Sequence, residues 1–212
     1  MDLNHEFEVP VTVDEAWKIL TDVERIAPCL PGAELQEIEG DTYRGVVKVK
    51  VGPIQAQFKG QASFVERDDA AHKAVLRGEG RDTGGKGNAS ALITAQLTGI
   101  TDGSTKVEVT TDLSITGKIA QFGRGAMADI SDKILGQFVE NLNTLIASQP
   151  AATAADAPAA TQPAAADAGP RKIDGPEAKP IDLLDAAGAP ILKRALPVVV
   201  VLAAVIVWLV VK

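Results

Sequence analysis

The side chains able to do chemistry beyond simple charge are few: two histidines, His5 and His72, one cysteine, Cys29, and one tyrosine, Tyr43. Their positions suggest no serine–histidine–aspartate or cysteine–histidine arrangement, although such groups need not be neighbours along a chain. A lone cysteine excludes an internal disulfide and any cysteine-based metal cluster. The stretch RDTGGKGNAS is glycine-rich but lacks the G-x-x-x-x-G-K-[ST] pattern. It leads into strand-like sequence, so hairpin geometry explains it better than phosphate binding. His72 sits beside a polar turn and reads as solvated. His5 is less ordinary, because alternation points it inward with Leu3 and Phe7; it is either a satisfied structural residue or a ligand contact. No catalytic residue and no metal site is therefore expected.

The elements that must hold these residues follow from hydrophobic period. Asp2–Val9 alternates with period two, as a half-buried strand does. Thr12 or Val13 opens a short helix over DEAWKILTD, and a second turn, VERIAPCLPG, is stopped by Pro28, Pro31 and Gly32. Five or six alternating strands follow between Thr42 and Ile115, as in an antiparallel sheet with one wet face. Met127, Ile130, Ile134, Phe138, Leu142 and Leu145 then recur at helical spacing. The expected class is α+β: a curved antiparallel sheet wrapped around a long C-terminal helix.

The inward positions carry an unusual share of small residues, namely Gly45, Gly60, Ala62, Ala74, Gly78, Ala89, Ala91 and Ala95. Two explanations stand. Glycine permits close approach and strong curvature, or the small residues leave room for a ligand. A ligand cavity would be lined from the strands by Phe7, Tyr43, Val47, Phe58, Ala62, Phe64, Leu76, Ile93, Leu113 and Ile115. From the helical side it would be lined by Phe122, Met127, Ile130 and Ile134. Gly123 and Gly125 are either ordinary looseness at the helix start or a gate to that cavity. CLPGAE is a helix stop and turn, or the rim of an opening.

Charge and composition divide the chain in three. The formal net charge is −7, with 22 acids against 15 bases in residues 1–149 and 6 against 6 thereafter. Residues 1–41 hold most of the excess, a face that repels nucleic acid and suits a basic protein partner, or simply a well-hydrated surface. Residues 1–149 read as the folded domain. Residues 150–190 contain seven of the twelve prolines and no aromatic residue, and are expected to be a disordered Ala/Pro-rich linker. Such a chain has a root-mean-square reach of about 35 Å. Within 191–212, the run 195–211 is unbroken and apolar, about 25 Å long as a helix, with Lys193 and Arg194 before it and Trp208 near its far end. It is expected to be a single-pass tail anchor in the inner membrane, with the domain on the cytoplasmic side. The first twenty residues lack the basic and apolar regions of a secretory signal.

Four stretches, AWKILTDVERIAPCLPGAE, VKVKVGPIQAQFKGQA, GEGRDTGGKGNASALITAQL and GKIAQFGRGAMADISDKILGQFVENL, carry a resemblance. They cover nearly all of residues 1–148. Their order resembles the helix-grip fold of the START-like, polyketide-cyclase-like superfamily, and within it the G-subunit family of carbon monoxide dehydrogenase. That resemblance implies no activity of its own, an apolar pocket, and recruitment of a molybdenum hydroxylase to the membrane. Joined to the need of such an enzyme for an electron acceptor, it implies a pocket for respiratory quinone, menaquinone or ubiquinone, drawn from the bilayer. Two alternatives stay open: a pure anchor or assembly chaperone with a filled core, and a cyclase- or hydrolase-like enzyme relying on His5 and Tyr43.

Overall fold

The computed structural model describes residues 1–51, 54–148, 171–173 and 180–182. The alternation in DLNHEFEV makes β1 (Asp2–Val9), which buries Leu3 and Val9 and exposes Asp2, Asn4, Glu6 and Glu8. Thr12 caps α1 (Val13–Thr21) by accepting the Glu15 N–H at 3.3 Å. The face of α1 turned inward carries Ala16, Trp17 and Ile19, all buried. Asp22 accepts the Arg25 N–H at 3.1 Å and so starts α2 (Val23–Ile26). A 3-10 turn over Ala27–Cys29 follows, where proline ends helical propagation.

Six strands then run as an antiparallel meander: β2 (Ala33–Glu39), β3 (Thr42–Val51), β4 (Ile54–Asp68), β5 (Lys73–Asp82), β6 (Asn88–Thr101) and β7 (Ser104–Ile115). β1 returns to pair antiparallel with β7, Asp2 opposite Asp112 and Val9 opposite Thr105. A 3-10 turn (Gly117–Phe122) leads into α3 (Gly123–Ala147). The order strand, two short helical turns, strands, long helix is the one the sequence predicts, but the run of strands begins at β2, ahead of the expected start at Thr42.

The densest core lies where α1, the C-terminal half of α3 and β1, β6 and β7 meet. Val9, Ile19, Val107 and Leu142 are at most 1% exposed there. Phe7 meets Phe138 edge to face at 6.2 Å. Asn141 Nδ2 donates to the Cys29 carbonyl at 3.0 Å, tying α3 to the 3-10 turn. Two outer-face residues, Val46 and Val75, are nonetheless buried. Val46 stands next to Lys48 and Glu34, a half-buried ion pair at 3.5 Å whose stems cover apolar surface. Val75 lies opposite Glu66, just past a bulge at Val65 of β4.

The expectation of an unstructured linker does not hold at its middle. β8 (Arg171–Lys172) pairs antiparallel with β2, and β9 (Ile181–Asp182) pairs parallel with β3. Backbone pairing at a sheet edge needs no bulky side chains, which is why composition did not reveal it. Residues 52–53, between β3 and β4, and the apolar run 195–211 lie outside the described residues. Among the described residues no helix is long and apolar enough to cross a membrane.

Candidate functional site

Strand register gathers the expected lining residues into rows on one face. One row runs Phe64, Leu76, Ile93, Thr111; the next runs Tyr43, Ala62, Gly78, Ala91, Leu113. A third runs Gly45, Gly60, Gly80, Ala89, Ile115, and Val47 stands opposite Phe58 beyond it. This face is filled unevenly. Phe7, Phe64 and Leu76 pack directly against the buried core, so they act as its border. Phe58, Ala62, Ile93, Leu113 and Ile115 are only half-buried, and Val47 is 38% exposed. On α3, Met127 is buried while Ile130 and Ile134 are half-buried. The side chain of Phe122 lies outside what the structure describes.

The small residues divide between the two explanations. A Cβ at Gly45 would lie 2.2 Å from the Glu34 carbonyl oxygen, and one at Gly60 2.0 Å from that of Glu79. These glycines allow strand backbones to approach closely, as a bent sheet requires. A Cβ at Gly78 would meet nothing within 4 Å. Position 78 therefore fronts open space in the middle of the row from Tyr43 to Leu113.

At the Tyr43 end of that row a cavity of about 380 Å³ opens between the α1–α2 junction and the edge strands. Ile38, Val23 and Tyr43 give it an apolar wall, and Lys18, Arg67 and Arg171 bring cations to its rim, with Asp22 and Glu24 among them. Tyr43 stacks edge to face on Phe64 at 6.2 Å, and the Arg67 guanidinium carbon stands 5.9 Å from the Phe64 ring centre. Burial, then the charges of Asp41 and Asp22, push the Tyr43 phenol above its ordinary value, with Arg67 opposing. At neutral pH the phenol thus keeps its proton and offers an O–H donor at the mouth. A second cavity, about 540 Å³, lies on the outer face among Arg44, Lys59, Glu79 and Arg81 and shares none of the expected lining.

The two histidines have structural partners. His5 Nε2 is 3.0 Å from Asp132 Oδ1, which fastens β1 to α3. No serine, threonine or cysteine among the described residues hydrogen-bonds to His5. It stands on β1, at the opposite end of the meander from Tyr43 on β3. His72 is not simply solvated. Its Nε2 is 3.1 Å from Asp14 Oδ1, and its ring meets Trp17 edge to face at 5.6 Å. Trp17 Nε1 donates to Asp69 Oδ1 at 2.7 Å. That bond and the Arg67 guanidinium hold the Asp69 carboxyl below its ordinary range. Among the described residues no group of His, Cys, Asp or Glu could hold a metal ion.

The structure also reveals Asp82, which alternation hides because it ends β5. It is 3% exposed. Its carboxylate accepts the N–H of Gln57 at 3.1 Å and of Lys86 at 2.9 Å, and so pins the glycine-rich β5–β6 turn. An aspartate immediately before a Thr-Gly-Gly turn was the available signal. Five of the eleven acids in residues 1–41 meet cations of the same chain: Lys106 meets Glu6, Arg44 meets Glu37 and Glu39, Lys48 meets Glu34, and Arg171 meets Glu24.

Residues 6–147 match the model of the CoxG family, described as the G subunit of carbon monoxide dehydrogenase. No curated protein matches the chain in sequence. Among solved structures, a conserved protein from Geobacillus kaustophilus superposes with a TM-score of 0.64 at 22% identity, over 69% of this chain and 95% of that one. Norcoclaurine synthase from Thalictrum flavum does so with a TM-score of 0.51 at 14% identity, over 71% and 95%. A protein from Rhizobium leguminosarum reaches 0.51 at 13% identity, over 70% and 95%. At such identities these likenesses concern the fold, which is the helix-grip fold of START-like proteins.

Proposed function

Since the chain belongs to the CoxG family of carbon monoxide dehydrogenase G subunits, we propose that it is a non-enzymatic accessory protein that carries a hydrophobic ligand for a molybdenum-containing carbon monoxide dehydrogenase. The ligand is a respiratory quinone, menaquinone or ubiquinone, taken from the bilayer and presented to the enzyme as electron acceptor. The apolar run 195–211 tethers the domain to the cytoplasmic face of the inner membrane, beside its lipid-soluble cargo and its partner.

The observation that carries this reading is the unfilled half of the concave face. Gly78 fronts open space between Tyr43 and Leu113, outside the dense core. An isoprenoid tail needs an apolar trough of this kind and gives up water on entering it. The polar rim suits the other end of the molecule. The protonated Tyr43 phenol and the Arg67 guanidinium are donors, and quinone carbonyls are acceptors. The engagement of His5 by Asp132 favours carriage over catalysis.

The test is native mass spectrometry of the full chain released from membranes of a quinone-producing bacterium, with solvent extraction of the bound fraction. Stoichiometric quinone is expected. A chain that arrives empty and takes up no added quinone would leave it a plain anchor or assembly chaperone for the enzyme.

A further inference from the structure

The terminal strand of a sheet offers a row of unpaired N–H and C=O groups, and proteins normally protect it. Here the meander ends at β2, and its protection comes from the chain's own later segment. Arg171 stands opposite Ile38 and Lys172 opposite Glu37. The Ile173 N–H donates to the Gln36 carbonyl at 2.8 Å. The Arg171 guanidinium pairs with Glu24 on α2. This cover is thin. It pairs with three residues of a strand of seven. Arg171 remains 59% exposed, and Lys172 has no ion-pair partner among the described residues. Beneath it Lys48 already meets Glu34 and Arg44 meets Glu37 and Glu39, so Glu24 is the one of these four acids whose cation comes from the covering segment itself.

We propose that the β2 edge is a docking site for an extended basic segment of a partner protein, and that Arg171–Ile173 is a built-in mimic displaced when the partner binds. The segment on the edge shows the chemistry of its replacement: main-chain pairing along Gln36–Ile38 for affinity and a basic residue against Glu24 for register. Displacement also takes Arg171 out of the wall of the 380 Å³ cavity beside Tyr43, and the partner's basic residue against Glu24 takes its place there. The docking site itself stands without the quinone reading.

The test uses the full chain in detergent and a fluorescent peptide of sequence AGPRKID. In Arg171→Glu/Ile173→Pro the ion pair and the Gln36 hydrogen bond are both lost. The peptide is expected to bind this variant at least tenfold more tightly than the wild type, and its charge-reversed analogue not at all. Adding Glu24→Lys should abolish the gain. Equal weak binding to wild type and variant, or tight binding insensitive to Glu24→Lys, would overturn the proposal. Should the variant not fold, hydrogen exchange on the wild type decides: the Ile173 amide should exchange faster with excess peptide, and unchanged protection counts against docking. A wild-type dimer that the variant cannot form, without peptide uptake, would give the edge to a second copy instead.

Discussion

Two glycines in adjacent rows of one sheet face have opposite reasons to be glycine. At position 60 a methyl group would collide with the Glu79 carbonyl; at position 78 it would touch nothing. Gly60→Ala should therefore cost about 1–3 kcal/mol through forced backbone shifts, measured by urea unfolding. Gly78→Leu should leave the midpoint nearly unchanged while lowering co-purified quinone at least tenfold, measured by solvent extraction. Full ligand occupancy in Gly78→Leu would put the cargo elsewhere. Alternation was enough to place both residues on the inward face. It could not separate a glycine that curves the sheet from one that fronts a void, because that depends on the neighbouring strand's carbonyls. Asp82 gives a pH-dependent counterpart. Burial alone would raise its carboxyl, but the Lys86 and Gln57 N–H groups and the Lys86 charge hold it below the ordinary range. Its stabilisation is thus complete above the unfolded value of about 4 and is lost as pH falls through the lower folded value. Wild type should lose stability on acidification below about pH 4 more steeply than Asp82→Asn, read from urea midpoints across an acid series.

Helix α3 links the dense core to the open half of the groove. Its C-terminal half buries Phe138 and Leu142, and its first turn carries Gly123 and Gly125, where an added Cβ meets no neighbour. Gly123 has φ +79, so a side chain there is strained; Gly125 has no such restriction. Gly125→Ala should raise helix stability by about 1 kcal/mol, seen as a higher midpoint in thermal circular dichroism. If that end of α3 gates the groove, the same change slows quinone exchange between protein and vesicles; an unchanged rate makes the glycine mere looseness. The period of α3 was plain in the sequence because each buried residue is large. The edge strand Arg171–Lys172 was not, since two residues in an Ala/Pro-rich stretch have no period. Only the unpaired groups of β2 select them.

At the scale of the described domain, a densely buried region adjoins one whose inward residues are only half-buried, and part of the acidic excess is met by internal cations. One further consequence follows from the pairing of β1 with β7, a contact that joins the first residues to those beyond Ser104. During synthesis β1 leaves the ribosome well before β7, its pairing partner, a wait of roughly 5–20 s at ordinary elongation rates. Pairing so remote in sequence also makes refolding slow. Through that interval Leu3, Phe7 and Val9 are exposed on a strand ready to join any other edge. The alternating Asp2, Glu6 and Glu8 place charges along the same segment, so nascent chains repel one another at the point where they would otherwise aggregate.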